Sequence, residues 1–304
     1  MTPQKACKNA YSVAKDILYI AHYSPYRHLV SNEMRVTLEY ILSRSEVGLR
    51  QLDKLHSRSF VLNTRYRDKW LIPGQSLQNA LCKHAIEQMT REALSSGIEQ
   101  VIVLGAGFDP LSTYLAQQYP KVHFFEVDHP YIQQFKREDP TLRSANARSK
   151  YNQPDRDNLH FLEFDSHRHD LIRKCRTHAA FDDARPTLFI CEHLLMHLNP
   201  ALVSHVLACT RTLTGRGTRI LMTASEPPQR LSRHRYDPRP LYQQWLGAPV
   251  RWHLDSQHAV HFLQRHHYQL LGIQHTTALK TRFIAPTQQP KLQGHLYLMS
   301  AVCR

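Results

Sequence analysis

A chain of 304 residues with 42% hydrophobic content can bury one large core, or one core with a modest accessory element, and should be globular. No run of about 18 apolar residues occurs, and the first twenty residues hold no clean apolar stretch ending in a small-residue cleavage site, so neither a membrane span nor export is expected and the location is read as cytoplasmic. Lysine plus arginine exceed aspartate plus glutamate by 39 to 25, a net +14 that favours anionic partners and says nothing about fold.

Residues 1–97 carry a helical pattern and no strand pattern. In EMRVTLEYILSRSEVGLRQLDKLH, Met34, Leu38, Ile41, Leu42, Leu49 and Leu52 recur at helical spacing. Pro73-Gly74 breaks the pattern, Ser76 is placed to cap a further helix, and Gly97 is placed to end it. From residue 98 the texture becomes short apolar runs alternating with helical patterns. The runs are 101–105, 122–127, 159–164, 187–191 and 218–223, and the crossover helices between them are expected at 110–118, 130–137, 167–176 and 200–213. After a proline- and charge-rich insertion at about 225–258, strands at 268–273 and 295–302 complete a sheet of about seven strands. The expected architecture is a doubly wound, mostly parallel, Rossmann-like α/β core (98–304) behind an N-terminal helical region (1–97).

The first chemical signal is VIVLGAGFDP, where a strand runs into Gly105-Ala106-Gly107 and a helix start at Pro110. Glycines there let a ligand approach the backbone at the carboxyl end of the strand, where open α/β sheets bind nucleotides. About twenty residues on, the next strand ends in Phe125-Glu126-Val127-Asp128, and an ionised carboxylate at that point can accept hydrogen bonds from both ribose hydroxyls. Pro110 stands where a dinucleotide fingerprint needs a third small residue, which favours a phosphate-free nucleoside such as S-adenosylmethionine over NAD. Asp165-Ser166, at the end of the third strand, can accept from an adenine amino group or cap the following helix. Glu192, just past the fourth strand in TLFICEHLLMHL, sits where an ammonium group or a substrate would lie.

VIVLGAGFDP with Tyr119-Pro120, FFEVDHPYIQQFKRE, LHFLEFDS and TLFICEHLLMHL, in that order over residues 76–223, resemble the leucine carboxyl methyltransferase family. The resemblance implies a class I methyltransferase fold with a helical lid, S-adenosyl-L-methionine as cofactor, and methyl transfer to a carboxylate or related oxygen of a small molecule or a protein C-terminus. Carried over by motif, Gly105, Ala106 and Gly107 would line the methionine part, Asp128 (with Glu126 beside it) the ribose, Asp165 and Ser166 the adenine, and Glu192 the methionine pocket. Family members usually place an arginine in the helix before the first strand; this chain has Cys82 there, with Lys83 next to it as a substitute point charge about 100° around the helix. His193 and His197 stand where the family more often has glycine and tyrosine.

A carboxylate acceptor is already ionised at neutral pH, so no catalytic base is assigned, and catalysis reduces to positioning and exclusion of water. The best local supply of cations for positioning is the segment 63–69, NTRYRDK, though lysine and arginine there also suit a solvated surface. Three rival readings are weaker. A nucleic-acid methyltransferase would fit the charge, but the fourth strand ends in ICEHLL and no RNA-binding signature is present. A methyltransferase-fold protein that binds without turnover would fit Cys82. A metal site on His253, His258, His261, His266 and His267 has irregular spacing and no partnering Cys or Glu. The six scattered cysteines suggest neither disulfides nor zinc.

Overall fold

The apolar runs of the second half form one seven-stranded sheet in the computed structural model, which describes residues 3–136, 157–164, 171–228, 239–288, 290–292 and 295–304. The strands are β1 Gln100–Leu104, β2 His123–Asp128, β3 Leu159–Glu163, β4 Thr187–Cys191, β5 Arg219–Ser225, β6 Tyr268–His275 and β7 Leu296–Cys303. Their order is β3-β2-β1-β4-β5-β7-β6. Strands β1 to β5 pair in parallel, while β7 runs antiparallel to both β5 and β6. Every residue of β1 and of β4 is buried, as expected for central strands covered on both faces.

Alternation along each strand divides the core into two layers. Val101, Val103, Phe124, Leu188 and Ile190 face the helices α1 Pro3–Tyr23, α2 Asn32–Ser43, α5 Gln75–Ser95, α6 Leu111–Gln118 and, through Ile132, α7 Pro130–Lys136. Ile102, Leu104, Phe125, Val127, Phe189 and Cys191 face α8 Leu171–Arg176, α9 Pro200–Thr214 and a later helix, Ala259–Arg265. Each large apolar side chain buried this way stabilises the fold by about 1.5–3 kcal/mol.

The N-terminal region contains helices α1 to α5, with α3 at Glu46–Leu55 and α4 at Arg58–Tyr66. The apolar pattern over residues 33–56 reads as one helix but is two, because Ser45 turns its hydroxyl back to the Gly48 N–H (3.0 Å) and starts a new one. Ser31 and Ser57 cap α2 and α4 in the same way. Ser76 does not cap α5. The helix starts one residue before it, after Gly74 at φ 76°, and the Ser76 N–H is taken by Asp68 Oδ2 (3.2 Å) from a π-helical turn, Arg67–Leu71. Gly97, at φ 96°, follows the last turn of α5 as the sequence suggests.

In the expected insertion, residues 229–238 lie outside the described residues, and α10 Arg239–Leu246 follows. It packs back on the N-terminal region. Tyr242 Oη lies 3.3 Å from Ser12 Oγ and accepts from Arg67 (3.2 Å), and Lys8 donates to the Trp245 carbonyl (2.8 Å). The next helices are α11 Ala259–Arg265 and α12 Thr276–Phe283.

Candidate active site

The chain winds from β1 through β2 to β3 on one side, then from β4 to β5 on the other, so the strand order reverses between β1 and β4. A crevice opens outside the carboxyl ends of the strands at such a point. The segments that leave β1, β2 and β4 bring Gly105-Ala106-Gly107, Asp109, Asp128 and Glu192 to it.

The glycine loop is positioned by its backbone. Gly105 has φ 67° and Gly107 φ 52°, values that side chains of L-residues adopt with difficulty. A Cβ on Gly105 would also come within 2.8 Å of Leu194 Cδ1. The loop is tied to β2 through Asp128, whose Oδ2 accepts the Gly107 N–H (2.6 Å) while Oδ1 accepts the His129 N–H (2.6 Å). Burial pushes the Asp128 carboxyl up, and these two N–H groups pull it back only in part. Helix α1 lies over the loop. Tyr11 packs on Phe108 with ring centroids 4.5 Å apart, and a Cβ on Gly107 would touch Ala10 Cβ at 3.4 Å.

Lys83 reaches the crevice from α5. Its ammonium donates to Asp109 Oδ2 (2.7 Å) and is ion-paired with Glu192, bridging the segments that leave β1 and β4. All three side chains are almost wholly buried. Burial alone would lower the Lys83 ammonium, but the two carboxylates outweigh it and hold it above the ordinary lysine range. Burial raises Glu192, with Lys83 opposing. One oxygen, Glu192 Oε1, is buried without a hydrogen-bond partner. Cys82, by contrast, is wholly buried, and desolvation pushes its thiol far up, so it is an inert core residue.

Glu126 shares a face of β2 with Asp128 but is fully buried, paired with Lys136 at 2.5 Å. Lys136 also donates to the Asp109 carbonyl (3.2 Å), which links Glu126 to the loop after β1. Asp165 and Ser166 lie outside the described residues. In the 63–69 segment, Arg67 is committed internally: Nη2 donates to Asp16 (2.7 Å), Asp68 (2.7 Å) and Ser76 (2.6 Å). His193 follows Glu192 with φ 50°, its N–H held by Thr223 Oγ1 (2.7 Å), and its Nε2 is buried without a partner. Beside it is a cavity of about 50 Å³, bounded by α1, the start of α5, the turn after β4, and α10. Among the described residues no group of three or more His, Cys, Asp or Glu is placed to hold a metal, and no helix is long and apolar enough to cross a membrane.

Sequence reasoning missed Asp109, Lys136 and Asp16. Asp109 had a signal, since it closes the same glycine motif, but its lysine partner is 26 residues away on another helix.

Residues 13–211 match the leucine carboxyl methyltransferase family. The chain belongs to that family. A relative from Saccharopolyspora erythraea, provisionally named an S-adenosyl-L-methionine-dependent methyltransferase, is 31% identical over 129 residues, 42% of this chain and 41% of its own length. A Mycobacterium tuberculosis relative with the same provisional name is 28% identical over 152 residues, 50% of this chain and 39% of its own. The chain thus spans about two fifths of the length of these curated relatives. In fold, it superposes on a protein of Thermobifida fusca YX provisionally described as a methyltransferase, with a TM-score of 0.54 at 15% identity, covering 93% of this chain and 99% of that one. A DUF574-family protein of Streptomyces avermitilis gives 0.57 at 12% identity, covering 90% and 98%. The fold is therefore that of the class I methyltransferases, within a family whose relatives carry S-adenosyl-L-methionine-dependent names.

Proposed function

We propose that the protein transfers a methyl group from S-adenosyl-L-methionine to a carboxylate, or a related oxygen, of a small molecule or a protein C-terminus. The observation that carries this reading is the buried Lys83–Asp109–Glu192 cluster at the strand-order reversal, with Glu192 Oε1 unpartnered. Two carboxyl groups share one ammonium, so the cluster holds more acidic than basic groups, which suits a ligand bearing both an ammonium and a sulfonium. The residues present fit the cofactor. Glu192 Oε1 is free to accept from its ammonium, Lys83 supplies the cation for its carboxylate, Gly105, Ala106 and Gly107 leave room along the backbone, and Asp128 keeps lone pairs for ribose hydroxyls. When bound, the cofactor supplies an electrophilic methyl group.

The chain's own work is positioning. A carboxylate acceptor arrives ionised and needs no base, so the protein must orient it and keep water away. Helix α1, closed over the glycine loop through Ala10 and Tyr11, supplies the cover. The test is calorimetry with S-adenosylmethionine and S-adenosylhomocysteine, followed by transfer of labelled methyl to base-labile products. Asp128→Ala should weaken binding by about ten- to a hundredfold, the worth of hydrogen bonds to a charged group. Absence of binding by the unaltered protein would refute the reading. Binding with no transfer to any acid would instead favour a protein that uses the fold to bind.

A further inference from the structure

Of the nine large hydrophobic side chains exposed among the described residues, six stand on two neighbouring segments: Leu62 and Tyr66 on α4, Trp70 and Leu71 on the π-helical turn that follows it, and Leu241 and Trp245 on α10. Trp70 (66% exposed), Trp245 (65%) and Leu62 (63%) turn most of their surface to water. Single exposed apolar residues are ordinary, but a cluster of them marks a contact surface. The two segments meet through Arg67, which donates to Tyr242 Oη (3.2 Å), and through Tyr242, whose ring stacks on Trp245 with centroids 5.9 Å apart.

Cations are set among these side chains. Lys69 lies over the Trp70 ring at 5.0 Å, and Lys8, from α1, over the Trp245 ring at 3.5 Å. Along α4, Arg58, Leu62, Arg65 and Tyr66 recur at i, i+4, i+7 and i+8, on one exposed face of the helix. Asp68 is the one acid within residues 57–71 and 239–248, and it is turned inward to Arg67 and the Ser76 N–H. The two segments therefore offer apolar and cationic groups together, with no exposed acid.

We propose that this face docks on an anionic phospholipid bilayer, with Trp70, Trp245 and the leucines entering the headgroup region of one leaflet and Lys8, Arg58, Arg65 and Lys69 meeting lipid phosphates. Tryptophan, tyrosine and long cationic side chains settle at a membrane–water interface, where a ring or an aliphatic stem is buried while its polar end stays wet. The contact is peripheral, made by the outer faces of α4, its π-helical turn and α10. Charge and chemistry disfavour other occupants. A second copy docked face to face would set Arg58, Arg65 and Lys69 against the same cations. A nucleic-acid strand would stack on the rings but leave Leu62, Leu71 and Leu241 without a partner.

The test is cosedimentation of the full chain with vesicles of phosphatidylcholine, alone or mixed with phosphatidylglycerol, read together with tryptophan fluorescence. Trp252, the third tryptophan, is buried, so an emission shift on adding vesicles reports Trp70 and Trp245. The expected result is a blue shift and partition onto the mixed vesicles at least about tenfold stronger than onto phosphatidylcholine, weakening with salt. Trp70→Ala with Trp245→Ala keeps every charge and should weaken partition at least about tenfold and abolish the shift. Arg65→Gln with Lys69→Gln keeps every ring and should weaken it about 25-fold, at about fivefold per cation. The altered side chains are exposed, so both pairs of variants should fold. A net charge of +14 alone would adsorb the chain without burying tryptophan, so binding with no blue shift, or binding unchanged in either pair of variants, would overturn the assignment. So would no binding to the mixed vesicles, equal partition onto phosphatidylcholine, a concentration-dependent dimer lost in the tryptophan pair, or tighter binding to a single-stranded RNA oligonucleotide than to the mixed vesicles.

Discussion

Replacing Lys83 by methionine removes one cation from between two buried carboxylates. At 2.7 Å and an effective dielectric of about 20, the attraction between Lys83 and Asp109 alone is about 6 kcal/mol, and the desolvation of Lys83 offsets part of it. Breaking a buried pair from one side typically costs about 3–5 kcal/mol, because the remaining charges lose their partner. Lys83→Met should therefore lower the free energy of unfolding by that amount at pH 7, measured by equilibrium urea denaturation. Glu192→Gln in the same chain should return about 1–3 kcal/mol of it, since one uncompensated charge goes. The deficit should also shrink as the pH falls from 7 towards 5, because burial holds the Glu192 carboxyl above the usual carboxylate range and a protonated Glu192 needs no cation. Lys83→Met within about 1 kcal/mol of the unaltered protein at pH 7 would refute the reasoning, as a cluster so buried cannot be neutral in energy.

A second expectation concerns acid. The folded-state pKa of His193, about 3, lies below the ordinary 6.5, so the unfolded state binds more protons between those values; stability is present above about pH 6.5 and is lost as the pH falls, with a limiting slope of about 1.4 kcal/mol per pH unit. Thermal melts of the unaltered protein and His193→Gly between pH 6 and 4 isolate this contribution from that of the carboxylates, and equal slopes would contradict it. Arg67→Met should cost about 3 kcal/mol and open the N-terminal region to limited proteolysis, since Asp16 and Asp68 lose their shared guanidinium. Cys82→Arg, which restores the usual family residue, should lower the melting temperature without tightening S-adenosylhomocysteine binding, because residue 82 is wholly buried and Lys83 already occupies the carboxylates; tighter binding would show that the two cations act together.

The sheet was legible because its signal is local. Each buried parallel strand is a short apolar run between turn residues, and β4 falls where the run 187–191 does, with the others shifted by one or two residues. The glycine loop and Asp128 were legible for the same reason, since both lie at strand ends whose position the alternation fixes. What escaped was held by contacts between distant segments. Asp68 caps α5 across an intervening turn, which no spacing rule anticipates, and Ser76 is drawn off to Asp16 and Arg67. The break between α2 and α3 was hidden because both helices keep their apolar residues in one continuing period, leaving only Ser45 to mark it.

Cys82 and Lys83 show how far a change at one position can be absorbed by the next. A rotation of about 100° between neighbours on a helix would normally turn a side chain out of a site. Lysine has a long, flexible stem, and α5 is buried on several sides, so both residues face packed interior: Cys82 enters the core and Lys83 extends to Asp109 and Glu192. What is lost is arginine's planar fork, which could grip a carboxylate with two parallel bonds; what remains is a point charge already shared by two protein carboxylates. A cofactor carboxylate must compete with Asp109 and Glu192 for that ammonium, whereas a cofactor ammonium finds Glu192 Oε1 unclaimed. On the proposed reading, recognition at this site is weighted toward the ammonium end of the methionine moiety.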